Sequence, residues 1–282
     1  MISRVTWKVI GLFLIAALSQ CAVADEVGLT AGEFRVDESG SATYSIPLSI
    51  APGIAGVAPA VSLNYSSGNT SEGPLGVGWS VGGLSSISRC PQTPFHDADN
   101  ITGINLTSTD RFCLDGQRLI LVSGTYGAPG SVYRKEVDDF SVITAKRGST
   151  TNGPKYFEVV TKSNETWYYG DVSDDEPTLG GADAFVEPGG GAAGVKAFRW
   201  AVKAIVDVKS NYILFNYDED ISEGTFYIDN IQYTGNLNLG KTPFAKVQFN
   251  YDAYDKGFQG YLAGAKFNAD QILTRIDATV DN

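Results

Sequence analysis

Apolar and polar residues alternate with a period of two along most of this chain. A segment patterned that way hides its apolar side chains only as a β-strand with one covered face. Tyr44, Ile46, Leu48 and Ile50 share one side of such a segment, with Thr43, Ser45 and Ser49 on the other. Pro47 interrupts it and has no N–H to give to a ladder, which predicts a sheet edge or a bulge there. Beyond the turn-forming Ala51-Pro52-Gly53, Val61, Leu63 and Tyr65 alternate with Ala60, Ser62 and Asn64. Further strands are predicted over 140–146, 156–162, 165–169, 198–206, 211–218, 226–233, 244–252 and 271–280. Leu119 to Val122 is apolar at every position, so that strand is expected to be covered on both faces. No segment carries a sustained helical period. Phe198 to Val206 comes nearest, and its β-branched and aromatic content makes it a strand. The 32 glycines, beside a single Met, suit short strands and tight turns. The expected fold class is all-β, with antiparallel sheets of many short strands and hairpins.

One internal repeat is visible. Phe215-Asn-Tyr-Asp218 recurs as Phe249-Asn-Tyr-Asp252, each copy following an apolar residue, Ile213 or Val247. Each is followed later by an Ile-Asp strand, at Ile228-Asp229 and Ile276-Asp277. A strand, a Tyr-Asp turn and a returning strand make a hairpin, and repeated hairpins stack into extended sheets or hollow shells. The two copies read as the beginning of an array. Its last strand, 271–280, would leave backbone groups and the side chains of Ile272, Leu273, Ile276 and Val280 in need of cover. The Gly- and acid-rich stretch near 170–196 is the expected long loop or subdomain boundary.

Residues 1–24 are organised as an export signal. Arg4 and Lys8 precede an apolar run from Val9 to Leu18, and Ala22-Val23-Ala24 offers a small-residue cleavage site before Asp25. The run is too short for a comfortable membrane span, and Gln20 fits poorly before a lipid-bearing Cys21. The expectation is a secreted mature chain, 25–282, with no stable membrane span, the periplasm or cell surface being the other destinations. Loss of Arg4 and Lys8 makes the net charge of −11 more negative. That acidity argues against nucleic acid or anionic lipid as partner. Cys21 leaves with the signal, and Cys90 and Cys113 remain as an even pair. In an oxidising compartment such a pair reads as a disulfide closing a loop of about 24 residues; the alternative is two buried thiols.

Motifs that suggest chemistry are weak. Gly78-Trp79-Ser80-Val81-Gly82 matches the nucleophile elbow G-x-S-x-G, but turn and strand material follows where a helix is needed, and His96 is the only histidine. Gly189 and Gly194 are spaced like a phosphate loop, with Val195 where its lysine should be. Asp97-Ala-Asp99-Asn100 and Asp171 to Glu176 lack the full calcium-loop spacing and read as solvated loops. Trp79, Trp167 and Trp200 would make a sugar platform only if exposed together, and in a sheet-rich fold they more often fill the core. The chain is expected to be no enzyme and to hold no cofactor or metal.

Three segments carry a family resemblance: Gly32 to Leu48, Pro59 to Ser67, and Gly73-Pro-Leu-Gly-Val-Gly-Trp-Ser-Val-Gly-Gly-Leu-Ser-Ser-Ile-Ser-Arg89. Asp110 to Leu119 and Trp200 to Tyr212 continue it in order. Together they resemble the N-terminal domain shared by the Salmonella virulence protein SpvB and the B subunits of insecticidal toxin complexes. The resemblance implies the start of a β-shell, which in toxin complexes joins tyrosine-aspartate (YD, Rhs-type) repeat sheets in a cocoon around a toxic cargo. It implies an exported structural module of a virulence-type protein. The implied partner is a YD-repeat toxin polypeptide or the C-terminal part of a longer parent. An adhesin or carbohydrate-binding module is the alternative. The ADP-ribosyltransferase activity of SpvB belongs to a separate domain. The resemblance also makes Gly76, Gly78, Trp79 and Gly82 a structural turn motif, with positive φ expected at its glycines.

Overall fold

The computed structural model describes residues 31–98, 101–181, 184–187 and 196–281. The expected export signal with Cys21, and Asp99, Asn100, Gly189, Gly194 and Val195, lie outside the described residues. Residues from Gly32 onward form one compact unit, and every strand pairing in it is antiparallel.

The first strands are β1 (Glu33–Val36), β2 (Ala42–Pro47), β3 (Ser62–Ser66), the two-residue β4 (Glu72–Gly73) and β5 (Gly76–Val77), and β6 (Trp79–Gly82). Strands β1, β2, β3 and β6 make a four-stranded sheet in that order. Its register places Phe34, Tyr44, Tyr65 and Trp79 in one row across the strands, and Tyr65 and Trp79 pack with ring centroids 5.4 Å apart. The neighbouring row, Ser45, Asn64 and Ser80, is polar and belongs to the other face. Pro47 closes β2, beyond the last β1 pairing at Ser45, so its missing N–H interrupts no ladder on that side.

Next come β7 (Ser86–Cys90), the one-turn helix α1 (Pro94–Asp97), β8 (Arg111–Leu114), β9 (Gln117–Ser123), β10 (Val132–Lys135), β11 (Val142–Lys146), β12 (Tyr156–Val160), β13 (Thr166–Gly170), β14 (Phe185–Val186) and β15 (Arg199–Val206). Strands β7 to β13 pair in sequence order, and β15 pairs with both β7 and β13, closing a ring of eight strands. The start of β15 meets β7 and its end meets β13. Eight strands leave an interior that side chains can just fill. Aromatic rings fill much of this one: Phe112 and Phe157 meet Trp200 edge-on, at centroid distances of 5.4 and 5.2 Å. Trp200 donates its indole N–H to the Pro154 carbonyl at 2.8 Å, so its polar atom is satisfied. Arg89 is buried beside these rings and donates to the carbonyls of Ala197, Thr107 and Asn152 and to the Asp110 carboxylate.

From β15 the sheet continues outward through β16 (Asn211–Asp220), β17 (Thr225–Asn236), β18 (Ala245–Leu262) and β19 (Ala265–Val280). The expectation for Leu119 to Val122 is overturned. Leu119 is buried in the barrel, but Val122 is 60% exposed and Ile120 also faces outward. In a closed barrel only one face of each strand meets the core, so an apolar run need not be covered twice. The described part of the 170–196 stretch returns to the barrel: Val172 and Leu179 are buried, and β14 pairs with β15.

Candidate assembly surface

The repeated tetrapeptides sit inside strands, which corrects their reading as turns. The turns come later, at 221–224 and 263–264. What the tetrapeptide encodes is a bulge. The register shifts between Asn216 and Tyr217 in one copy and between Asn250 and Tyr251 in the other. Its first three side chains do the same work in both. Phe215 and Phe249 are buried. Asn216 reaches forward to Asn230 at 2.9 Å, and Asn250 to Asp277 at 2.9 Å. Tyr217 donates back to the Val202 carbonyl and Tyr251 to the Ile228 carbonyl, each at 2.8 Å. Register also corrects the partner strands: Phe215 opposes Ile231 and Phe249 opposes Ile276, so Ile228 and Ile276 are not equivalent.

Strand β18 pairs with β17 only from Ala245 to Gln248, then runs on with β19 as a long two-stranded arm. The arm is tied back at several points. Asn268 donates its N–H to the Gly224 carbonyl at 3.0 Å, Asp270 donates to the Tyr227 hydroxyl at 2.8 Å, and Lys266 pairs with Glu223 at 2.6 Å. The turn between β4 and β5 docks on it, with Leu273 donating to Pro74 and Tyr254 to Glu72. No described strand pairs with β19 on the side away from β18. Its 274–280 stretch is mostly exposed, with Val280 at 47%.

The glycine segment makes this docking possible. Gly76 and Gly78 have φ of +88° and +81°, as expected. A β-carbon on Gly78 would also lie 2.7 Å from the Tyr65 ring. Gly82 departs from expectation: its φ is ordinary, and its side is crowded instead by Asn64 and Ser62. The positive φ, +88°, belongs to Gly83, where a β-carbon would meet the Ala60 carbonyl at 2.1 Å. Trp79 packs on Tyr65 within the four-stranded sheet.

The remaining sequence candidates are dispersed. Cys90 and Cys113 are bonded across β7 and β8, with Cα atoms 6.0 Å apart. Ser80 lies in mid-strand opposite Asn64, without the strand-turn-helix of an elbow. His96 sits in α1 against Thr93 and Glu136. Asp97 is occupied by Arg111 and Arg118, Asp171 and Asp174 by Lys155, and Asp175 by Arg147. Among the described residues no group of three or more His, Cys, Asp or Glu side chains is arranged to hold a metal. Trp200 is barrel core, so the three tryptophans share no platform. Among the described residues no helix is long and apolar enough to cross a membrane.

A family model described as Salmonella virulence plasmid 65kDa B protein matches residues 36–236. The fold is similar to that of the TcdB2-TccC3 crystal structure, with a TM-score of 0.67 and 19% identity over 88% of this chain and 14% of that one. It is similar to the Photorhabdus luminescens Tc holotoxin pore, at a TM-score of 0.65 and 17% identity over 88% of this chain and 13% of that one. The N-terminal domain of effector protein SpvB from Salmonella typhimurium strain LT2 gives a TM-score of 0.58 and 19% identity over 82% of this chain and 86% of that one. No curated protein matches in sequence. The chain thus spans 14% of the TcdB2-TccC3 chain and most of the SpvB N-terminal domain.

Proposed function

The chain belongs to the Salmonella virulence plasmid 65kDa B protein family, and from that premise we propose that it is a non-catalytic structural module of an exported toxin-type protein. In this reading it contributes wall to a β-shell that encloses or presents an effector. One observation carries the proposal: the sheet grows outward from a closed barrel and ends, among the described residues, in the unpaired side of β19. An open strand edge is a template for another strand, and natural proteins normally blunt or cover it. Here Ile276, Ala278 and Val280 lie along that stretch with little charge on the same side. The bulge repeated at Asn216 and Asn250 gives the sheet a unit that a further hairpin can copy. The natural occupant of the edge is more sheet of YD-repeat type, from a longer parent chain or a separate polypeptide. The packed aromatic barrel serves as a rigid base, and the chain reaches its place through the export signal at 1–24.

The test is co-expression. The mature chain, 25–282, is produced alone and with a YD-repeat polypeptide, and mass is followed by light scattering. Self-association alone and a one-to-one complex with the repeat partner are expected, with 274–280 gaining protection from hydrogen exchange. A stable monomer whose 274–280 amides are already fully protected would refute the shell reading. Stoichiometric labelling of Ser80 by a fluorophosphonate would refute its non-catalytic part.

A further inference from the structure

Between the glycine segment and the first strands of the sheet extension lies a cleft of about 340 Å³, within the size range of small-ligand sites. Trp79 lines it from β6, and Tyr217, Phe226 and Tyr251 line it from the extension. Tyr217 and Phe226 are stacked with centroids 4.6 Å apart. The tyrosine hydroxyls are already committed to the carbonyls of Val202 and Ile228, which leaves their rings as apolar wall.

Among the described residues one cation lines this apolar cleft, Arg199. Every other described arginine has a carboxylate partner: Arg35 with Glu33, Arg89 with Asp110, Arg111 and Arg118 with Asp97, Arg134 with Asp138, Arg147 with Asp175, and Arg275 with Asp277. Arg199 has none. Among the described residues its guanidinium makes neither an ion pair nor a hydrogen bond, and it lies 5.8 Å from the Phe198 ring. Among the described residues the one carboxylate lining the cleft, Glu72, already accepts the Tyr254 hydroxyl at 3.1 Å. In a chain with 32 acidic against 21 basic residues, an arginine without a carboxylate partner beside aromatic rings is suited to an anion from outside. A guanidinium matches a carboxylate in shape and charge and grips it through two parallel N–H···O bonds.

We propose that this cleft binds an apolar carboxylate: Arg199 takes the carboxylate, and the rings of Phe226, Tyr251 and Trp79 bury an aromatic or branched group attached to it. The chemistry is the same for a free aromatic acid and for the C-terminal residue of a polypeptide.

Titration calorimetry on the full chain separates these sources. The ligands are N-acetylphenylalanine, its uncharged amide, and a short peptide ending in phenylalanine. The acid should bind about tenfold or more tighter than the amide, in keeping with a charge-assisted bidentate contact. Arg199→Gln should erase that difference while leaving amide binding unchanged; the residue is exposed, so the fold should survive. As a second variant, Phe226→Ala, which removes one ring of the cleft wall, should weaken acid and amide alike. A peptide tighter than the free acid identifies a polypeptide terminus as ligand, and equal affinities identify the free acid. Equal binding of acid and amide, persistence of the preference in Arg199→Gln, no saturable binding, or tighter binding of glucuronic acid than of N-acetylphenylalanine would each overturn the proposal.

Discussion

The backbone N–H of Leu273 donates to the carbonyl of Pro74 across 2.6 Å. The turn between β4 and β5 therefore gives β19 an acceptor that no neighbouring strand supplies. Tyr254, donating to Glu72 at 3.1 Å, closes the same contact from β18. The Leu273 amide should accordingly exchange slowly with solvent. Tyr254→Phe should speed its exchange by about tenfold while leaving Ile231 unchanged, because local openings report local contacts. Hydrogen exchange followed by NMR decides this, and identical Leu273 rates in both proteins would mean that the contact carries no load.

Substitutions of the glycines should rank by what a β-carbon meets. Gly76→Ala places it in open space at positive φ, so the loss is backbone strain alone, about 1 kcal/mol. Gly78→Ala adds the Tyr65 ring at 2.7 Å. Gly83→Ala drives a methyl group against the Ala60 carbonyl at 2.1 Å and should be the worst, about 3 kcal/mol or more. Urea denaturation of the three variants tests the order, and Gly76→Ala matching Gly83→Ala would contradict it.

Removing the Cys90–Cys113 bond releases a loop of about 24 residues in the unfolded chain, and loop-closure entropy puts the loss at about 3 kcal/mol. The Cys90→Ser/Cys113→Ser double variant should melt lower by that amount. Its melting temperature should not respond to reductant, whereas that of the oxidised parent should fall.

Acid should destabilise the fold in a defined window. Burial raises the pKa of Asp97, but the N–H of Thr93 and the guanidinium groups of Arg111 and Arg118 outweigh it and hold the carboxyl below its usual value. Asp139 is likewise opposed by burial, yet Lys135 and Ser141 bring it down to about 2. A carboxyl whose folded pKa lies below its unfolded value stabilises the protein above the unfolded pKa, and that contribution is lost as pH falls through the folded one. Denaturation midpoints should hold down to about pH 4, the model-peptide value for Asp, and then fall toward about pH 2. Asp97→Asn should flatten that limb and lower stability at neutral pH by about 1–3 kcal/mol. An unchanged acid limb in Asp97→Asn would exclude Asp97 as the group responsible.

Period-two alternation revealed most of the long strands, because one face of each is wet and the other dry. It missed β1, β6, β8, β10 and the two-residue strands, and gave β7 only as turn and strand material. In β7 the inward position is Arg89, a charged residue that breaks the apolar pattern and is satisfied only by carbonyls from distant loops. Arg118, buried at the start of β9, blurs the next strand in the same way. Ring closure was hidden for another reason, since the pairing of Thr166 with Val206 is a contact between segments whose local patterns are indifferent to it. Of the candidate surface, Gly76 and Gly78 could be read from the turn motif, while Gly83 could not, because the carbonyl of Ala60 decides its case. Arg199 looks in sequence like any outward residue of a strand. Only the partners found by the other arginines make it distinctive.

In a solenoid, a terminal unit with a finished outer surface stops the stack at one end and fixes where it begins. The eight-stranded ring stands in that relation to the strands that leave it. Among the described residues every barrel strand has a neighbour on both sides, and the sheet grows out of the ring from β15 through β16 to β19. Such a cap gives an array polarity. In the proposed shell, hairpins can be added or lost at the far end without disturbing the aromatic base, so the length of the wall can vary independently of the stability of its foundation.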